Sequence, residues 1–468
     1  MRFLLMCSSS FKEYALLCFF YRDAVKSHYS QSTKWTETYL PAVCDCLFSR
    51  WIHCGSLRVF FDILLYCADT TIIFICVTGV YTMRVFFIGF GQAGGKIVDM
   101  FLAHDKKLQD GSFRGIAVNS ARTDLLGLQN IDMKDRLLIG QTVVKGHGVG
   151  TDNVTGAKIT ADEIDTIINA IDTRGTHDID AFIVVAGLGG GTGSGGTPVL
   201  CRHLKRIYRE PVYALAMIPA PEEGRLYSYN AARSLATLVN EADNTFVFDN
   251  SAWKEEGESV KSAYDRLNEE LVRRFGVLFR AGEVGQFGIG EMVVDSSEII
   301  NTLRGGGIST IGYAISDVIT KTKPKKSFFS GFGKKEKDDS ALTGEDKSAK
   351  IIGLVRRAML GRLTLPCDYT TAERALVLVA GPPNELDRKG VEKSKSWVEE
   401  NIAGIEVRGG DYPVGSNYIA AVVLLSTIGK APRISELLEE AKETKQDVVR
   451  SSDRTSNLFE DSIDPLFE

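Results

Sequence analysis

From Met83 onward the sequence predicts an α/β protein with a mostly parallel, doubly wound sheet, a long helix, and then a smaller α/β domain. Three observations predict it. Short, near-continuous apolar runs alternate with stretches of helical period, as expected for parallel strands buried on both faces. Two of those runs end in glycine-rich segments that lead into helices. A long helical pattern, Val260 to Phe279, separates this block from later strand-like runs.

Arg84 to Phe90 reads as the first strand, Gly91 to Gly95 as punctuation, and Lys96 to His104 as a helix. Phe113 to Val118 and Arg136 to Ile139 read as strands. Ala161 to Ile171 reads as a helix with Ile164, Ile167, Ile168 and Ile171 on one face. Asp180 to Ala186 is a buried strand ending in GGGTGSG, and Pro198 to Tyr208 is the helix after that loop. Val212 to Ile218 and Thr245 to Phe248 complete the sheet. In the second block, Ala375 to Ala380 and Tyr418 to Leu425 are strand-like. Residues 321–350, with nine lysines and five acids, read as a solvated insert. Ile434 to Val448 reads as a helix. The closing NLFEDSIDPLFE suits either a partner-binding peptide or plain disorder. The predicted division is 83–255, a central helix 256–282, a C-terminal domain 283–430, and a helix with an acidic tail, 431–468.

A net charge of −5 over 468 residues gives no footprint for nucleic acid. Seven of the nine cysteines precede Met83, so the body reads as a protein of a reducing compartment, the cytoplasm, without disulfides. No Cys-x-x-Cys or His-Glu-x-x-His spacing supports a transition-metal site, and metal ligands stay unassigned. Residues 1–82 are atypical. Early charges break a secretory pattern, and the uncharged run from Thr70 to Met83 is shorter than the ~20 residues of a spanning helix. Met83-Arg84 opens a pattern that looks like a natural start. The upstream segment therefore reads as a product of start-codon choice, with an unstructured or membrane-associating extension as the alternative.

Gly89-Phe90-Gly91-Gln92-Ala93-Gly94 fits GxGxxG between a strand and a helix, which alone suggests a dinucleotide-binding oxidoreductase. That reading needs an acid at the end of the second strand, where Asn119 stands. The second loop is more specific. Gly189, Gly190, Gly191, Gly193 and Gly195 let the backbone approach phosphate oxygens, and Thr192 and Ser194 add hydroxyls. The following helix presents its positive end to an anion. A third segment, Gly146 to Asn153 with Gly148 at its centre, suits a phosphate loop or an ordinary turn.

GGGTG[ST]G resembles the signature of tubulins and FtsZ. GQAGG at Gly91 to Gly95 resembles their first nucleotide loop, and AVNS at Ala117 to Ser120 the second loop of FtsZ. IPAPEEG at Ile218 to Gly224 resembles the sugar-binding loop, and FVFDN, ending at Asn250, the purine loop of tubulin. With VVDSSEIINTLRGGG, the mosaic is most similar to CetZ, the archaeal tubulin-like group, over about 83–430. The resemblance implies a Rossmann-like GTPase domain and a cytoplasmic, filament-forming protein that controls cell shape and binds GTP or GDP. It implies that Gln92 and Ala93 touch the α and β phosphates, that Gly189 to Gly195 cradle β and γ, and that Glu223 (or Glu222) bonds the ribose. Asn250 and Asn268 read guanine and Tyr264 stacks on it; from the residues alone, Tyr264 reads as an ordinary half-buried aromatic. Where FtsZ has an acid two residues past Asn119, this chain has Ala121. The resemblance therefore implies Mg2+ held mainly by phosphates and water.

Asp295 and Glu298 have the D-x-x-E spacing of a capping box. The resemblance adds a catalytic role, in which both acids orient water at the nucleotide of the next subunit in a head-to-tail filament. Val293 falls where FtsZ has asparagine. Implied partners are further copies of the chain and a tail-binding protein or membrane adaptor. A non-hydrolysing regulator of such polymers is the remaining alternative.

Overall fold

Strands of one direction dominate. The computed structural model describes residues 61–68, 71–78, 82–108, 111–253, 260–282, 290–318 and 344–445. Among the described residues before 80 are β1 (Phe61–Ala68) and β2 (Thr71–Thr78), paired antiparallel with Phe61 opposite Thr78. The sequence predicts no regular structure there. The β-branched and aromatic residues of TIIFICVT supply the strand preference. This pair lies in a unit of its own, Met1–Val80, and the remainder forms a second.

In that second unit the strands are β3 (Val85–Phe90), β4 (Phe113–Asn119), β5 (Arg136–Leu138), β6 (Ala181–Gly187), β7 (Val212–Ile218) and β8 (Asn244–Asp249). After them come β9 (Ile308–Asp317), β10 (Arg374–Gly381), β11 (Glu406–Pro413) and β12 (Tyr418–Ser426). They form one sheet in the order β11-β10-β12-β9-β8-β7-β6-β3-β4-β5, in which only β12 runs against the others. The β5-β4-β3-β6-β7-β8 portion has the doubly wound order, which reverses between β3 and β6 and leaves a crevice at the carboxyl ends of those two strands.

Alternation along β3 explains why both faces are covered. Val85 and Phe87 join one core, with Phe101 of α1 (Gly91–Leu108), while Phe86, Ile88 and Phe90 join the core on the other face. On the first face, Phe87 stacks on Phe101 at 4.5 Å between ring centres, and Phe275 of the long helix meets Phe101 edge-on at 6.3 Å. On the second face lie α2 (Asn153–Asp162), α3 (Ile164–Thr173), α4 (Thr192–Ile207) and α5 (Arg225–Glu241). The long helix, α6 (Val260–Phe279), has the predicted bounds. Beyond it are α7 (Ser296–Leu303), α8 (Gly344–Leu360) and α9 (Arg388–Glu399), and a third core joins α8 and α9 to β10 and β12.

Several predicted elements change. The helix placed at Ala161 to Ile171 is two helices, because Glu163 leaves the helical conformation (φ −109°, ψ 20°) and its carboxylate takes the Gly140 N–H at 2.8 Å. Residues 344–350 of the predicted insert open α8, and 321–343 lie outside the described residues. The last described helix covers 432–445; 446–448 and the acidic tail lie outside the described residues.

Candidate nucleotide site

The two predicted glycine loops meet at the crevice between β3 and β6. Gly91 has a left-handed φ of 73°, and a Cβ there would come within 3.1 Å of the Gly193 backbone nitrogen. A side chain would force the loops apart. The second loop is only partly a loop. Helix α4 begins at Thr192, six residues before the predicted start at Pro198, so Thr192, Gly193, Ser194 and Gly195 form its first turn. That turn carries unsatisfied N–H groups.

The glycines do different jobs. A Cβ on Gly195 would sit 2.1 Å from the Asn153 carbonyl oxygen and one on Gly191 2.7 Å from that of Gly150, so these two permit backbone packing against α2 and the preceding loop. A Cβ on Gly189 would meet the Tyr227 ring at 2.9 Å. Gly190 alone of the five has nothing within 4 Å of such a Cβ, and its face is open.

The predicted hydroxyls are engaged. Ser194 Oγ donates to the Gly190 carbonyl and is buried, so it does not project from the loop as an anion donor. Thr192 Oγ1 shares a 2.7 Å hydrogen bond with Ser120 Oγ, linking this loop to the second one. Gly148 closes the third side, since its N–H donates to the Ser120 carbonyl at 3.2 Å and the neighbouring Gly150 carbonyl takes the Gly191 N–H. Gln92 and Asn119 are brought together by a residue that sequence reasoning missed. Asp124 accepts from Gln92 Nε2 and from Asn119 Nδ2, each at 3.1 Å.

Helix α5, absent from the sequence reading, buttresses the loop. Buried Asn230 donates to the Thr151 carbonyl (2.6 Å) and the Gly189 carbonyl (3.1 Å). Pro198 has no N–H to give the Ser194 carbonyl four residues back, and Ser234 Oγ fills that role at 2.6 Å.

A second set of predicted residues gathers at the carboxyl ends of β7 and β8. Glu223 Oε1 accepts from Ala220 N at 2.8 Å and Asn250 Nδ2 at 3.3 Å. Tyr264, on the first turns of α6, is pushed up to about 12, by burial first and then by the charge of Glu223, with which it hydrogen-bonds, and of Glu222. Tyr264 is 37% exposed. Asn268 stands one turn further along the same helix and is half-buried. Glu223, Asn250 and Tyr264 therefore form one cluster.

Asp295 and Glu298 lie elsewhere. Asp295 caps α7 by accepting the Glu298 N–H at 3.0 Å, which is half of the predicted capping box. The Glu298 carboxylate turns instead to Arg408 Nη1 at 3.1 Å. Helix α7 lies across the amino ends of the strands. Its Leu303 carbonyl takes Asn244 Nδ2, at the start of β8, and its Asn301 carbonyl takes Arg374 Nη1, at the start of β10. Asp180, just ahead of β6, gives the same placement. Burial raises its carboxyl, Arg84 opposes this, and the nearby charges of Asp178 and Asp295 raise it further. The seven residues of β6, roughly 20 Å of strand, separate that end from the glycine loop.

Residues 84–257 match the GTPase domain of the tubulin/FtsZ family, and 257–443 match the C-terminal domain of the tubulin-like CetZ proteins. The tubulin-like protein CetZ1 of Haloferax volcanii is 54% identical over 375 residues, covering 78% of this chain and 93% of that protein. The solved CetZ1 structure, a GDP-bound monomer, superposes with a TM-score of 0.68 at 51% identity, over 78% of this chain and all of that one. CetZ2 of the same organism, solved as a GTPγS-bound protofilament, has a TM-score of 0.68 at 39% identity, over 78% of this chain and 99% of that one.

Proposed function

The chain belongs to the tubulin-like CetZ family of the tubulin/FtsZ GTPases, and from that premise we propose that it binds GTP, assembles head to tail, and hydrolyses the nucleotide with acids supplied by the next subunit. One observation carries this reading. The glycine loops occupy the carboxyl ends of the strands, and Asp295 and Glu298 occupy the amino ends. A carboxylate reaches a phosphate only at hydrogen-bond distance, so these acids serve a nucleotide held by another copy. Such a heterologous contact propagates into an open filament.

The roles follow from position. The α4 N-terminus with the Gly189–Gly191 backbone cradles the terminal phosphates, Gln92 and Ala93 the inner ones. Glu223 takes the ribose, and Asn250, Asn268 and Tyr264 the base. Residues 83–255 are the nucleotide domain, 256–282 the central helix and 283–430 the domain that activates the neighbour. In hydrolysis, the water oxygen bonds to the γ-phosphorus while the bond to the β–γ bridging oxygen breaks. GDP leaves with that electron pair, and the water's proton passes by way of a carboxylate to the medium. Catalysis here is positioning and charge control, the part that Asp295 and Glu298 can supply.

The donors present suit a lightly held Mg2+. Among the described residues no three His, Cys, Asp or Glu side chains converge, and Mg2+ commonly binds through one or two carboxylates, phosphates and water. Asp124, which accepts from Gln92 and Asn119, would hold it directly or through water. When bound, the ion offsets charge on the β and γ phosphates.

We place the filament in the cytoplasm, serving cell shape. Among the described residues no helix is long and apolar enough to cross a membrane. Electron microscopy of the full chain tests assembly. Filaments are expected with GTP and with a non-hydrolysable analogue, and far fewer with GDP. Equal assembly in all three states would overturn nucleotide-dependent polymerisation.

A further inference from the structure

Strand β11 is the outer edge of the ten-stranded sheet, and two of its residues, Asp411 and Arg408, bond the segment that carries the two acids. Upstream, Asp411 accepts the backbone N–H of Met292 at 2.6 Å and that of Glu291 at 3.1 Å. The Asp411 N–H returns a bond to the Met292 carbonyl at 2.9 Å. The chain therefore enters the Asp295 turn in a fixed position.

Downstream, the contacts are ionic. Arg408 Nε and Nη2 both donate to Glu406 Oε1, at 3.2 and 2.7 Å, which fixes the guanidinium plane. The remaining arm, Nη1, donates to Glu298 Oε1 at 3.1 Å. Glu406 Oε2 pairs with Arg374 Nη1 at 3.2 Å, and the same nitrogen donates to the Asn301 carbonyl of α7 at 2.7 Å. Two arginines joined by one glutamate thus grip a single turn of α7, from Glu298 to Asn301. Among the described residues the second oxygen, Glu298 Oε2, takes no hydrogen bond. Both members of the Arg408–Glu298 pair are about a quarter to a third exposed (27% and 33%), too open for the pair to contribute much to folding. Exposed Val293 and Ile405 flank it, and Ile405 is 89% exposed.

We propose that Arg408 is a positioning residue for hydrolysis in the neighbouring subunit, holding one oxygen of Glu298 so that the other faces the attacking water. The proposal rests on the assignment of Glu298 as the acid acting in trans. A carboxylate brought toward a triphosphate meets strong like-charge repulsion, and an adjacent guanidinium offsets it while fixing the rotamer. Glu406 keeps the guanidinium from following the phosphates instead.

The test compares full-length Arg408→Ala, Arg408→Lys and Glu298→Ala proteins. Each is assayed for GTP affinity, for sedimentation with a non-hydrolysable analogue, and for phosphate release per sedimented subunit. Arg408→Ala is expected to lose about 10²-fold in release, the scale of a misplaced catalytic group. Its affinity and sedimentation should stay near wild type, and Arg408→Lys should recover part of the loss. Full activity of Arg408→Ala beside an inactive Glu298→Ala overturns the role of Arg408 and leaves Glu298 standing. Full activity of Glu298→Ala overturns both. A loss of release matched by an equal loss of sedimentation, and not eased by lysine, assigns Arg408 to assembly and also overturns the proposal.

Discussion

Glu298→Ala is expected to bind GTP as the wild type does and to release phosphate about 10²–10⁴-fold more slowly, the usual contribution of a positioned acid or base. The reasoning is spatial. Glu298 sits at the amino ends of the strands, remote from the loops its own chain offers to nucleotide, so removing it leaves that site intact. Its side chain pairs with Arg408 at the surface, so the fold loses little. Asp295 behaves differently because it caps α7. Asp295→Ala mixes a cap loss of about 1 kcal/mol with any catalytic loss. Asp295→Asn keeps a capping oxygen and isolates the role of the charge. Nucleotide affinity by calorimetry beside a phosphate-release assay checks both variants.

The second large effect separates two glycines of one motif. Gly195→Ala is expected to destabilise the protein by about 1–3 kcal/mol or more, as overpacking does. Its methyl would lie 2.1 Å from the Asn153 oxygen and 2.6 Å from Ala157 N, both backbone atoms of α2 that no rotamer change can clear. Gly190→Ala should melt at the wild-type temperature, because nothing lies within 4 Å of the new methyl. It should nevertheless weaken GTP binding by about tenfold or more, since the open face is where phosphate oxygens would pass. Thermal denaturation and calorimetry on both variants separate the effects. Normal GTP binding by Gly190→Ala would contradict the assignment of that face to phosphate.

The legible parts of the fold are those held by apolar patterning. Strands β3, β4, β6, β7 and β8 are almost wholly buried, and their apolar runs mark them within a residue or two. Helix α5 is invisible to that reading because its inner face mixes Leu235 and Leu238 with Ser228, Asn230, Ala231, Ala232 and Ser234, small and polar residues of which Asn230 and Ser234 bond the glycine loop. Helix α2 hides for the same reason, with Asn153, Gly156 and Thr160 buried against α4. Strand β11 is disguised by Gly409 and Gly410. A Cβ on Gly410 would fall 1.8 Å from the Met292 carbonyl, so the glycine that weakens the strand pattern lets the acid-bearing segment dock.

The site divides similarly. Gly91, the GGGTGSG segment, Glu223 and Asn250 are contiguous motifs, and the structure brings each to the crevice or its rim. Asp124, Asn230 and Arg408 act through partners 32, 41 and 110 residues away, a relation only the folded chain displays. The motif reading gave these residues to phosphate alone, whereas the Ser194 hydroxyl and four of the five glycines also answer to packing within the protein.

The claim that the active site is shared between two copies is tested most directly by the concentration dependence of turnover. GTP hydrolysis per molecule is measured across a range of protein concentrations spanning the onset of sedimentation. The shared site requires a rate per molecule near zero below that onset and a rise to a plateau above it. A rate per molecule that stays constant across the range would mean that one chain hydrolyses GTP alone, and would contradict the account.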